Sequence, residues 1–125
     1  MKGEYEMEKL NVPVNDDLRV RVREYVSAGL RDSACSEEGK ADILASLDEM
    51  LPGLVKADGG VGSLIVSVEN TAMGSAVQMM HAGPIYNPCP NGPESYTRSH
   101  MDEISFEFKY GRNVLTVFRR ATSKQ

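Results

Sequence analysis

Few side chains in this sequence of 125 residues are spaced so that they could do chemistry together. The best-ordered set is Asp42, Ser46, Glu49, Gly53 and Lys56, at helical steps within DILASLDEMLPGLVKAD. Residues three and four apart share a helix face, so Glu49 and Gly53 stand one above the other on a polar stripe. That stripe is expected to line something other than the core. The two histidines, His81 and His100, lack a carboxylate–cysteine constellation that would make them a metal or catalytic pair. Cys35 and Cys89 form neither a disulfide framework nor a metal spacing. Ser33, Ser36, Ser95, Thr97 and Ser99 offer hydroxyls in expected loops, and nothing marks one as a phosphoacceptor. Arg19, Arg21, Arg23 and Arg31 cluster on one expected helix and read as a solvated face rather than a phosphate-binding stripe.

The elements that must position these residues follow from periodicity. Ile43, Leu44, Leu47, Met50, Leu51, Leu54 and Val55 give the central helix its buried side. Pro52 predicts a kink or an end within about a turn, because its ring clashes with the Asp48 carbonyl at ~3 kcal/mol. Gly59-Gly60 closes the helix. Before it, Lys9–Val14 reads as a short strand, and Asn15, Asp16 and Asp17 offer a cap and first-turn acids. The helix they start buries Leu18, Val22, Tyr25, Val26 and Gly29 and ends near Arg31. Ser36 is the expected cap of the central helix.

After it, Ser63–Glu69 and Ser75–His81 alternate as the two strands of a hairpin. Ile104–Tyr110, with Ile104, Phe106 and Phe108 inward, and Asn113–Arg119 form a second. Between the hairpins, Ala82–Ser99 holds four of the six prolines, which forbids a regular element over most of its length. A short helical turn survives near Ser95–Met101. The order β-α-α-β-β-loop-β-β predicts an α+β fold, a two-layer sandwich of a mixed or antiparallel sheet with two main helices on one face. Ser67, Gln78, Ser105, Glu107 and Lys109 suit a wet outer face, and Ile65 and Leu115 are its apolar exceptions. The expected organisation is a flexible segment 1–8, one domain 9–120 and a flexible segment 121–125.

Composition narrows the function. Hydrophobic and charged contents of 41% and 26% are those of a globular chain with one core. A net charge of -4 argues against nucleic acid as a partner, since phosphate neutralisation needs a basic face. No apolar run has the length of a membrane span, and MKGEYEMEK has no signal-peptide core, so no membrane partner is expected. The expected compartment is a reducing cytoplasm.

Several strings resemble one known group. VREYVSAGL, DILASLDEML, HAGPIYNP and the tail MDEISFEFKYGRNVLTVFRR resemble the small anti-sigma-factor serine kinases, within the superfamily of histidine-kinase-like ATPase domains. The resemblance runs from about Leu10 to Arg119. It puts Glu49 at the family's general-base position. Gly53 falls where the family has a magnesium-holding asparagine, and His81 where it has the aspartate that reads the adenine amino group. Gly83 fits the glycine two residues on. PNGPESY falls where a glycine-rich stretch holds phosphates with its amides, and its prolines remove donors. Glycine has no oxygen for a hard cation.

The resemblance therefore implies a histidine-kinase ATPase-like domain with a degenerate nucleotide site and no cofactor. Glu49 is then a solvated or capping acid. The implied function is a non-catalytic regulatory protein acting by protein–protein binding in bacterial signalling and transcription control. Its implied partners are a sigma factor, an anti-sigma antagonist or a response-regulator module, with a homodimer expected. The alternative is an active ATP-dependent serine/threonine protein kinase, using ATP and magnesium in an altered site. On the first reading the loop from Gly83 to Ser99 packs irregularly over the vacant pocket or serves as a partner surface.

Overall fold

The computed structural model describes residues 8–121. The flexible ends expected at 1–8 and 121–125 lie outside the described residues, save for Glu8 and Ala121. Strand β1 (Leu10–Pro13) leads into helix α1 (Leu18–Gly29), which runs on through a 3-10 turn at Leu30–Asp32. Helix α2 (Glu37–Asp58) follows, then the hairpin of β2 (Ser63–Thr71) and β3 (Gly74–Ala82). After the proline-rich loop come a short helix α3 (Tyr96–His100) and the hairpin of β4 (Glu103–Lys109) and β5 (Arg112–Arg120). The fold is α+β, with one five-stranded sheet in the order β1-β2-β3-β5-β4, antiparallel at every pairing.

Local chemistry accounts for most boundaries. Ser36 Oγ accepts from the Gly39 amide at 3.0 Å, and Glu37 and Glu38 place negative charge at the positive end of α2. Gly59, at φ 70°, ends α2 in the left-handed conformation and donates its amide to the Val55 carbonyl. The start of α1 differs from expectation. Asp17 makes no side-chain cap bond, and Asn15 Oδ1 takes the Asp17 amide at 2.9 Å instead.

Leu18, Val22 and Val26 of α1 and Ile43, Leu47, Met50, Leu51 and Leu54 of α2 bury against Leu64, Val66, Val77, Met79, Leu115 and Val117. One core thus lies between the helices and one face of the sheet.

Of the kink or end expected at Pro52 the end is overturned, and so is the outward placing of Leu115. Helix α2 does not end near Pro52; it continues as helix to Asp58 with Pro52 inside it. Pro52 is exposed, so its missing N–H falls on the wet side of the helix, where water can take up the Asp48 carbonyl. Leu115 is not on the outer face but 2% exposed in the core, and Val114, Thr116 and Phe118 face outward. β5 carries apolar residues on both sides, so its alternation could not choose a face. Pairing with β3 chose it, setting Leu115 beside Met79 and Val117 beside Val77.

Candidate functional site

The polar row of α2 faces the proline-rich loop and α3, and Asp42, Glu49 and Gly53 meet them or the strand beyond. Asp42 Oδ1 accepts from the Tyr96 hydroxyl at 2.7 Å, and Asp42 Oδ2 accepts from Arg119 Nη2 at 2.9 Å. Arg119 also reaches Asp102 at 3.5 Å, tying α2, α3 and β5 together. Ser46 is fully buried and donates to the Asp42 carbonyl at 3.0 Å. The row is thus the seat of the loop and not a free surface.

Glu49 is consumed by that seat. Its Oε1 accepts from Ser95 Oγ at 3.0 Å, from the Thr97 amide at 2.8 Å and from Thr97 Oγ1 at 2.7 Å. Its Oε2 accepts from the Tyr96 amide at 3.0 Å. Ser95 Oγ in turn accepts from the Arg98 amide at 3.2 Å. Glu49 therefore caps α3 from another element. Burial pushes its carboxyl up, but the bonds from Thr97, Tyr96 and Ser95 outweigh that and hold it below the ordinary 4.5. A general base at neutral pH is served by a raised value, whereas Glu49 is held lowered, with three donors on its Oε1 and one on its Oε2.

Gly53 lies under the loop. A Cβ added there would meet Tyr86 Oη at 2.7 Å, so the Tyr86 hydroxyl occupies the place where a side chain at 53 would begin. Tyr86 is held by its amide, which donates to Asn113 Oδ1 at 2.8 Å. Asn113 Nδ2 donates to the carbonyls of His81 at 3.2 Å and Pro84 at 3.0 Å. One buried asparagine thus staples the start of the loop to β3 and β5.

His81 is 6% exposed and meets Asp58 at the end of α2, with Nε2 and Oδ1 2.7 Å apart. Asp58 Oδ2 also accepts the amides of Val61 at 2.9 Å and Gly62 at 3.0 Å. Burial pushes the Asp58 carboxyl up, but the Gly62 amide, His81 and the Val61 amide hold it below the ordinary 3.8. An ionised Asp58 puts a proton on His81 Nε2, and Nδ1 has no partner among the described residues. Beside the ring is a cavity of about 10 Å³, lined by Leu54, Met79, Tyr86, Pro88 and Leu115 among others. That is the room of about one water molecule, and far less than a purine needs. Gly83, at φ 139°, makes the turn out of β3 and donates its amide to the Gly111 carbonyl at 3.1 Å.

Mg-ATP does not fit these residues. Gly53 offers no side-chain oxygen to a metal, Glu49 caps α3, His81 is bonded to Asp58, and Tyr86 and Pro88 line the small cavity beside its ring. The Tyr96 and Thr97 amides, the pair at the start of α3, aim at a carboxylate of the same chain. Among the described residues no group of three or more His, Cys, Asp or Glu could hold a metal ion. Cys35 and Cys89 are free buried thiols, and burial pushes Cys89 up. No helix in this range is long and apolar enough to cross a membrane.

Sequence reading singled out Glu49, Gly53, His81 and Gly83; the tertiary structure sets the first three against the loop or α3, while Gly83 makes the turn out of β3 and bonds Gly111. It missed Asp58, Tyr86 and Asn113, which hold that arrangement. No local signal marks them: Asp58 reads as a helix-end acid, Tyr86 as loop, Asn113 as the start of a strand. No known protein family matches the chain, and no curated protein matches it.

Proposed function

We propose that this chain is a non-catalytic regulatory protein that acts by binding other proteins, with a histidine-kinase ATPase-like architecture whose nucleotide place has been built shut. One observation carries the reading: four hydrogen bonds commit Glu49 to the start of α3. The packing of Tyr86 over Gly53 and the bond between His81 and Asp58 support it from two further sides. The element order around the antiparallel sheet supports the architecture. By the resemblance in the sequence, the partners are a sigma factor, an anti-sigma antagonist or a response-regulator module.

The test is a calorimetric titration of Mg-ATP into the full chain, with thermal melts alongside. A ligand at a hundredfold excess over its dissociation constant stabilises its protein by ~2.7 kcal/mol. No heat and no shift in Tm at millimolar Mg-ATP is the expected result, together with a partner complex that forms without nucleotide. A micromolar, magnesium-dependent Kd, or phosphate transfer lost in Glu49→Gln, would replace this reading with the kinase.

A further inference from the structure

The open edge of β4 has no part in the arrangement around Glu49. β4 is the last strand of the sheet, and β5 alone pairs with it. The parity of that pairing follows from the turn between them. Tyr110 and Gly111, at φ 54° and 75°, form a two-residue turn closing on Lys109 and Arg112. The closing pair of such a turn exchanges both hydrogen bonds, and bonded and unbonded pairs alternate from there. Glu103, Ser105, Glu107 and Lys109 therefore turn their backbone groups toward β5. Ile104, Phe106 and Phe108 turn theirs toward the open edge. Their side chains lie on the helix-covered face, where cover runs thin at the rim: Ile104 and Phe106 are half-buried and Phe108 is 42% exposed.

We propose that β4 is a homodimer interface, on which a second copy of this chain pairs antiparallel about a two-fold axis at Phe106. The strand EISFEFK is self-complementary about that residue. Pairing there sets Ile104 opposite the second copy's Phe108, and Phe106 opposite its own equivalent. Each residue whose backbone faces the edge thus meets another of the same kind, and each such pair exchanges both hydrogen bonds. The same register joins the half-covered apolar side chains of the two copies. On the outer face it sets Glu103 opposite Lys109 at both ends of the ladder, and Ser105 opposite Glu107. The existing Lys109–Glu107 contact, at 3.8 Å between exposed side chains, is weak enough to yield.

A foreign strand would have to supply this pattern, whereas a second copy carries it. The assembly closes, because the two-fold uses both β4 edges. The other edge, β1, is four residues long and ends on Pro13, which has no N–H to offer. This inference rests on strand geometry and charge and does not depend on the function proposed above.

Sedimentation velocity on the full chain, from micromolar to millimolar, tests it. The expected result is a concentration-dependent dimer. Glu103→Lys and Lys109→Glu each set like charges opposite one another at both ends, and each weakens the dimer about tenfold or more. An equimolar mixture of the two variants restores it, since each supplies the charge the other lacks. Hydrogen exchange reads the register directly. Amides of Ile104, Phe106 and Phe108 slow in the dimer, while those of Ser105 and Glu107 are slow in dimer and monomer alike. A monomer at every concentration, a dimer indifferent to both charge reversals, or no slowing at Ile104, Phe106 and Phe108 would overturn the proposal. A monomeric chain whose edge amides slow only with an added partner would assign the edge to that partner instead.

Discussion

Glu49 is a side chain of catalytic type committed to structure. Four donors from Ser95, Tyr96 and Thr97 converge on it, two of them backbone amides at the start of a helix. Bonds to a charged acceptor contribute about 1.5–3 kcal/mol when lost. Glu49→Gln keeps the shape, drops the charge and turns one acceptor into a donor facing donors. It should lower stability by about 2 kcal/mol at neutral pH, read from urea midpoints; a change under about 0.5 kcal/mol would show that the cap holds nothing. The pH dependence has a definite sign. A carboxyl held lower in the folded chain than its ordinary 4.5 contributes stability fully present above that value, and lost as pH falls through the lowered one. The gap between the native chain and Glu49→Gln should therefore close in acid below that range. A gap undiminished at about pH 2 would mean that the charge is not what the loop needs. Asp58, held below its ordinary 3.8, adds to the same acid loss. His81→Asp would set a second carboxylate against Asp58, and should cost about 2 kcal/mol at neutral pH, recovering as acid protonates one of the pair. Stability of His81→Asp equal to the native chain's at neutral pH would contradict the geometry.

At the scale of elements, α2 runs on as helix through a proline that the sequence expected to kink it or end it. The reason is position: Pro52 sits on the exposed flank, while Met50, Leu51 and Leu54 on either side of it are buried. Packing on the core side holds the helix across the gap in its hydrogen bonds. Pro52→Ala returns the N–H and should raise stability by about 1–3 kcal/mol in thermal melts. A fall in stability would instead mean that the proline ring itself makes a contact the fold uses. The loop between β3 and α3 is the second informative element. Its prolines keep it irregular, yet it is pinned at both ends, by Asn113 at Tyr86 and by Glu49 at Ser95. It is a plug built of fixed points.

At the scale of the whole molecule, one antiparallel sheet carries one helical layer, and stability should be graded across it. β3 and β5 are paired on both sides and cross the core with Val77, Met79, Leu115 and Val117. Their amides should open only with global unfolding, whereas β1, short and at an edge, should open earlier. Native-state hydrogen exchange checks this. Equal protection of β1 and β3 would show that the sheet opens as one unit.

Sequence by itself determined what is local. Alternation placed the four strands of the hairpins, Ser36 and Gly59 bounded α2, and the density of prolines kept 82–95 irregular. The polar row of Asp42, Ser46, Glu49 and Gly53 was legible as a face apart from the core, because helical spacing fixes which residues share a side. Tertiary structure decided what each face meets. It turned Leu115 inward, since a strand apolar on both sides takes its facing from its neighbour's register. It carried α2 through Pro52, since burial on one flank outweighs a lost bond on the other. It brought Glu49 to Thr97 and Asp58 to His81, pairs far apart in the chain whose bonds depend on where two elements come to rest. Types of residue set what chemistry Glu49 and His81 could do; their neighbours in space fixed what remains free to be done.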